Sequence, residues 1–212
     1  MPEDDSVQAP DLPKELDSAE PADGELDLSG ALVTGGSVKA TRIRIVESEL
    51  KGFVIESDHA PGLTLIDVVM RDCGLSNLDA REGMLKRVEV RTSRLVGFAL
   101  TGGEVHDLRV VDSSLELASF AGSRLKNVTF ERVNLNEATF LEAGLERVRF
   151  VDCELNGTDF RGARLSGCEI RGASLADVVG VASLRGVRMP WSDVVSSAGA
   201  LAVALGIQID DG

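Results

Sequence analysis

Between residues 115 and 175 every fifth position holds a large apolar side chain: Leu115, Phe120, Leu125, Phe130, Leu135, Phe140, Leu145, Phe150, Leu155, Phe160, Leu165, Ile170 and Leu175. Two residues before each sits a small or compact one, as at Ser113, Ala118, Ser123, Val128, Ala138, Ala143, Cys153, Thr158 and Ala163. A step of five suits neither an uninterrupted helix nor an uninterrupted strand. On a helix, successive members diverge by about 140° and form no stripe. On a strand the side-chain period is two, so an odd step sends neighbours to opposite faces. Both conflicts vanish if the chain turns a corner after each pentad. Each pentad is then one short side of a coil, with its central residue and the one two before it pointing inward. The corner position, two after the centre, holds Gly52, Gly62, Gly97, Gly102, Gly122, Gly157, Gly162, Gly167, Gly172 and Gly186, with Asp67, Asp72, Asn77, Asp107, Asp112, Asn127 and Asp152. These residue types accept tight or left-handed backbone geometry.

Leu and Phe alternate, and a second series fixes the number of sides. Val88, Leu108, Val128 and Val148 are bulky and lie twenty apart, while Gly83, Gly103, Ser123, Ala143 and Ala163 are small. Four sides per coil explain both series, and predict Phe120, Phe140 and Phe160 in one stack with Phe130 and Phe150 in the opposite one. Units such as Ala138-Thr139-Phe140-Leu141-Glu142 and Ala163-Arg164-Leu165-Ser166-Gly167 run small residue, free position, then Leu or Phe. In this the chain resembles the pentapeptide-repeat family over residues 40 to 190. The resemblance implies an all-β fold, a right-handed quadrilateral β-helix. Ile45 to Met189 would make about seven coils, a rod roughly 35 Å long at ~4.8 Å per stacked strand.

The length, 212 residues, suits one elongated domain whose coils bury their interior against neighbours. Residues 1–25 stand apart, with Pro2, Pro10, Pro13 and Pro21 and nine acids against one lysine. They read as an acidic arm, disordered or loosely docked. The solenoid is expected over 26–190, with Leu26, Leu28 and Leu32 as an irregular first strand. Its register falters at Asp58-His59-Ala60-Pro61, where Asp58 takes an inward slot and Pro61 lacks a backbone donor; a bulge or short loop is expected. After Leu175 the pattern loses one residue and resumes at Val179, Leu184 and Met189. Cys73, Cys153 and Cys168 all occupy inward positions without a CxxC spacing, so they read as small core hydrophobes.

Residues 191–212 change period. Trp191, Val194, Val195, Ala198, Leu201, Ala202 and Leu205 have helical spacing, with Pro190 suited to the start and Gly206 to the end. The second half of this helix is apolar all round, which normally means burial on more than one side. One side can cap the last coil; the other calls for a partner, and a homodimer through this helix is expected. A cap folded under Ile207 and Ile209 is the alternative.

Catalysis finds no support. His59 and His106 are the only histidines, there is no Tyr, and no nucleophile elbow, phosphate loop or metal-ligand spacing occurs. No cofactor or metal is expected. No apolar run is long enough to span a membrane and no signal segment opens the chain, so a cytoplasmic protein is expected. The net charge of -13 is concentrated at the ends, because residues 26–190 hold 23 acids and 21 bases, counting Glu25 with the arm. Within the solenoid, the side centred on 50 to 170 is balanced and includes Glu89, Arg109, Arg149 and Glu169. The side centred on 45 to 165 is slightly basic. The side centred on 55 to 175 is acidic, with Glu56, Glu116, Glu137, Glu154 and Asp177 against Arg94. These features point to a non-enzymatic protein-interaction module or scaffold that binds another protein and no nucleic acid directly. The family resemblance implies an alternative, a DNA mimic whose carboxylates (Glu116, Glu137, Glu154 and Asp177) occupy the DNA groove of DNA gyrase or topoisomerase IV. A structural spacer is a third reading, and fold alone does not choose among them.

Overall fold

The twenty-residue period is the hydrogen-bonding register of the protein. The computed structural model describes residues 7–210. The chain runs through β1 (Asp17–Ser18), β2 (Gly24–Ser29), β3 (Ala31–Thr34), β4 (Ser37–Val38), β5 (Ala40–Lys51), β6 (Val54–Ile55), β7 (Thr64–Arg71), β8 (Met84–Arg91), β9 (Glu104–Val111), β10 (Arg124–Glu131), β11 (Gly144–Val151), β12 (Arg164–Ser166) and β13 (Glu169–Arg171). A 3-10 turn at Val181–Ser183 and helices α1 (Trp191–Ser196) and α2 (Ala198–Ala204) follow. Leu65, Leu85, Val105, Leu125 and Leu145 pair in parallel, each with the residue twenty further on. Strands β7 to β11 each bend around a corner and so supply two sides of the coil. Single bridges supply the other two, along Gly74, Arg94, Ser114, Asn134 and Glu154 and along Asp79, Ala99, Ser119, Thr139 and Asp159. The fold is a β-solenoid of about seven turns.

Every expected corner adopts the left-handed region, among them Asp67 at φ 55°, Asn77 at φ 59° and Gly97 at φ 70°. The structure extends the rule to residues whose identity did not announce it: Arg87 at 50°, Thr92 at 45°, Leu117 at 60° and Arg132 at 50°. An L-residue with a Cβ strains there by ~1–2 kcal/mol, so the stacking of coils dictates the conformation. Polar corners offset part of that strain by bonding along the axis, as where the Thr92 hydroxyl donates to Asp72 Oδ1 at 2.7 Å.

Inside, the phenylalanines form the two expected stacks. Phe120 and Phe140 lie 5.2 Å apart, Phe140 and Phe160 5.1 Å, and Phe130 and Phe150 5.4 Å, all near parallel. Between stacks the rings meet edge to face, as at Phe140 and Phe150, 5.6 Å apart, the arrangement that aromatic quadrupoles favour. The small inward positions staple neighbouring coils. Ser113 Oγ accepts the Ser93 N–H at 3.0 Å and donates to the Val111 carbonyl at 2.8 Å, so neither group is buried unsatisfied. The three thiols are free and buried, each donating to a backbone carbonyl.

Departures from the period are local. The first coil is three residues short, pairing Leu28 with Ile45, Val33 with Leu50 and Val38 with Ile55. At the expected irregularity the inward slot is not taken by Asp58, which is exposed. Ser57 is buried instead, and its hydroxyl accepts the Ala40 N–H at 2.6 Å. The single-residue loss after Leu175 appears as Glu169 bridging Arg188, nineteen residues on.

The two ends depart from the repeat. Of the two states expected for the arm, the structure shows the docked one from Val7 onward. The Asp11 N–H donates to Asp67 Oδ1 at 2.9 Å, and β1 pairs with β3. Val7, Pro10, Leu12 and Leu16 are half-buried. Carboxylate acceptors on the solenoid surface, invisible in a hydrophobic pattern, supply what the arm lacks in apolar periodicity. Residues 1–6 of the arm and 211–212 of the tail lie outside the described residues. At the other end the continuous helix expected over 191–205 is broken at Ser197. That residue is buried, and its hydroxyl accepts the Leu175 N–H of the last coil at 3.2 Å.

Candidate interaction surfaces

Each corner column carries its own chemistry, because residues twenty apart stack at ~4.8 Å. One column reads Asp67, Arg87, Asp107, Asn127, Arg147. Arg87 Nε donates to Asp67 Oδ1 at 2.6 Å, Asn127 Nδ2 to Asp107 Oδ1 at 3.2 Å, and Arg147 Nε to Asn127 Oδ1 at 2.7 Å. The Arg87 guanidinium holds the Asp67 carboxyl below its ordinary range against the opposing effect of burial, with the Asp11 N–H contributing. In the next column Arg132 grips Asp112 and reaches the neighbouring Glu131. Both carboxyls are held low, Asp112 by Arg132 and Glu131 by Arg109 and then Arg132. Asp79 with Arg81 and Asp159 with Arg161 repeat the arrangement. On the balanced side, Glu89 pairs with Arg91, Arg109 with Glu131, and Arg149 with Glu169 at 3.7 Å. His59 pairs with Asp79 at 3.3 Å.

The four acids singled out from the sequence share one side of the coil but not one column. Glu116 is half-buried; Glu137, Glu154 and Asp177 are exposed. Glu154 lies on the bridge ladder of Asn134 and accepts the Asn136 amide at 3.0 Å. Glu137 occupies a left-handed corner at φ 57°, and the Asp177 carbonyl accepts the Gly157 N–H at 3.0 Å. None of the four carboxylates forms an ion pair among the described residues. They rise one per coil, about 4.8 Å apart along the axis, against one charge per ~1.7 Å on duplex DNA.

The C-terminal residues divide between cap and surface. Asp193 Oδ2 accepts the Gly172 N–H at 2.6 Å and, with Ser197, ties the helices to open backbone donors of the final coil. These two polar anchors were not singled out by the apolar pattern; their positions one turn apart on the coil-facing side were the available signal. Val194, Leu201 and Leu205 line a cleft of about 360 Å³ together with Leu175, Leu184 and Val187. Leu201 and Ala202 are half-buried, whereas Trp191, Val195, Ala198 and Leu205 are exposed. Ile207 and Ile209 are more than half exposed. The Ile207 N–H bonds back to the Ala202 carbonyl at 2.9 Å over left-handed Gly206, a helix-ending motif.

Residues 114–179 match the family model described as a pentapeptide repeat region. That stretch is a run of pentapeptide repeats. Solved structures similar to this chain include QnrB1, a plasmid-mediated fluoroquinolone resistance protein, at 16% identity and a TM-score of 0.43, covering 90% of this chain and 100% of that one. HetL, a pentapeptide repeat protein involved in heterocyst differentiation regulation from the cyanobacterium Nostoc, is 17% identical with a TM-score of 0.41, covering 88% and 92%. Rfr23 from the cyanobacterium Cyanothece is 14% identical with a TM-score of 0.41, covering 58% and 88%. No curated protein sequence matches the chain. Among the described residues no helix is long and apolar enough to cross a membrane, and no three His, Cys, Asp or Glu side chains cluster as metal ligands.

Proposed function

We propose that this protein is a non-catalytic interaction module that pairs with a second copy of itself through its C-terminal helices. The observation that carries the reading is where exposed apolar surface lies. Among the described residues, six of the eleven exposed large hydrophobic ones fall between 191 and 209: Trp191, Val195, Val203, Leu205, Ile207 and Ile209. Apolar surface gathered in one place marks a contact site, whereas scattered residues do not. Helix α2, AGALAVA, carries no charge, and a neutral apolar patch complements itself across a two-fold axis. Chemistry on the solenoid is disfavoured by its own electrostatics. The carboxyls with displaced pKa values are all held low and have no proton to give near neutrality. Burial pushes all three thiols up, Cys153 to about 11, away from the nucleophilic thiolate.

The test is mass in solution by light scattering. The wild-type chain is expected at twice the single-chain mass, and Val195→Glu with Val203→Glu at the single-chain mass with its β-type circular dichroism kept. A wild-type monomer across the micromolar range would refute the pairing. A second reading, that the acidic side enters a basic groove built for DNA on a type II topoisomerase, is favoured by one observation. Among the described residues its four carboxylates form no ion pair, whereas Asp67, Glu89, Asp112, Glu131, Asp159 and Glu169 on the same solenoid each do.

A further inference from the structure

We propose that the notch over Gly144 binds a phosphoryl-type oxyanion, a tetrahedral group of high negative charge. Gly144 is a glycine that the fold itself does not require. Among the described residues every other glycine either adopts positive φ or would bring a Cβ within 4 Å of a neighbouring atom. Gly144 does neither. It opens strand β11 outside the left-handed region, and a Cβ there would meet nothing. Gly74, also on an outward ladder, differs, because the Val54 side chain would stand 3.4 Å from its Cβ. The other members of the Gly144 column, Arg44, Thr64, Met84, Glu104, Arg124 and Arg164, all carry side chains. A glycine in a strand forfeits packing and backbone order. Where the chain gives no reason for one, close approach by a ligand does.

The missing side chain leaves a cleft of about 340 Å³ whose walls are basic. Arg124 and Arg164 stand on either side, one coil before Gly144 and one coil after it. Lys126 and Ser166 line the cleft from the neighbouring outward column, with Glu146 between them. Arg164 forms no ion pair among the described residues. Arg124 meets Glu104 at 3.3 Å with its side chain 82% exposed, so it is free to turn. Glu146 is shared by Lys126 at 3.5 Å and Arg147 at 2.8 Å. With these ion-pair partners included, and His106 counted neutral, Arg124, Lys126, Arg147 and Arg164 face Glu104 and Glu146. That is a surplus of two positive charges on a chain of net charge -13. A phosphomonoester carries about −1.5 to −2 at neutral pH and balances it. The two arginines start about 9.6 Å apart, two coil spacings. An oxyanion gripped from both sides spans ~8 Å between nitrogens, two charge-assisted hydrogen bonds of ~2.8 Å plus its own width. Guanidiniums leaning inward over Gly144 close the difference, and a side chain at 144 would stand between them. The cleft opens on the outer face of the sheet, so the group enters as free phosphate or on a phosphorylated side chain.

NMR of the full-length chain tests the site, with inorganic phosphate titrated against chloride at matched ionic strength so that screening is equal. Phosphate alone is expected to give saturable shifts of the Gly144 amide and of the Arg124 and Arg164 Nε–H signals. Arg164→Gln is expected to weaken the binding by about tenfold or more, as loss of a charge-assisted hydrogen bond does. Gly144→Val is expected to abolish it while keeping or raising the melting temperature, since a β-branched residue suits a strand and its Cβ meets nothing. A short glycine peptide with one phosphoserine separates the two sources. Tighter binding than inorganic phosphate assigns the site to a phosphorylated side chain, and binding of inorganic phosphate without the peptide assigns it to the free ion. Equal shifts in chloride and phosphate, binding that survives Gly144→Val, or binding indifferent to Arg164→Gln would each overturn the site. A lower melting temperature in Gly144→Val would overturn it as well, by showing the glycine to be structural.

Discussion

Phe140 lies on Phe160 with ring centroids 5.1 Å apart and planes within 5° of parallel, one full coil of chain separating the two. The contact makes each coil dependent on the next, since neither ring is solvent-accessible. Phe140→Ala opens a hole between Phe120 and Phe160 and is expected to cost ~3–5 kcal/mol. Glu142, at an outward corner two residues on, is exposed, and Glu142→Ala is expected to cost well under about 1 kcal/mol. Urea titration of both variants checks the five-residue register, which equal destabilisation would exclude.

Much of this was legible before any coordinates. The pentad centres, the four sides, the two phenylalanine stacks and the residue lost after Leu175 follow from periodicity, because each inward position must satisfy two neighbouring coils at once. Three features were not legible, for separate physical reasons. The arm docks through N–H groups of Gln8 and Asp11, and every residue has an N–H, so no composition signals it. The helix break at Ser197 depends on a hydroxyl finding the free Leu175 N–H, a fact of three-dimensional proximity. Glu116, Glu137, Glu154 and Asp177 share one side of the coil, but which carboxylates the neighbouring arginines capture depends on side-chain reach between coils, which a periodic pattern does not carry.

Leu117 sits left-handed at φ 60° with half its surface exposed, between Gly97 and Glu137 in its column. Its strain has no evident return in packing. Leu117→Asn is expected to stabilise the fold by about 0.5–1 kcal/mol, because Asn tolerates that region better. Gly157 in the same column, at φ 68°, is the converse. A Cβ there would lie 3.3 Å from Glu137 Cγ, and Gly157→Ala is expected to destabilise by about 1 kcal/mol. Opposite shifts in the urea midpoint are the signature.

Acid should loosen the fold by a definite route. Asp67, Asp79, Asp112, Glu131 and Asp159 all have carboxyls held below their ordinary values by arginines. The unfolded chain therefore takes up protons first as pH falls. Their contribution is complete above about pH 5 and drains away through pH 4 and below, toward the lowered folded values. The melting temperature is expected to fall over that window. Asp67 is the least exposed of these, so Asp67→Asn should flatten the acid limb measurably at high salt, where exposed pairs are already screened.

The final prediction separates a shape-reading scaffold from a mimic of DNA. A mimic works by placing carboxylates where phosphates would sit, so its binding must weaken steeply with salt. Glu116, Glu137, Glu154 and Asp177 are free of ion pairs among the described residues and climb one side coil by coil, which leaves their charge available. Glu137 and Glu154 are exposed, so Glu137→Lys with Glu154→Lys reverses the charge without touching the core. If the acidic side carries the function, wild-type protein inhibits gyrase supercoiling at micromolar concentration, added salt relieves the inhibition, and the double variant has none while keeping its melting temperature. The sparse charge, one carboxylate per ~4.8 Å against one per ~1.7 Å on the duplex, favours the opposite result. Wild-type protein is then expected to leave supercoiling untouched, and partners captured through the apolar C-terminal helices should persist in high salt.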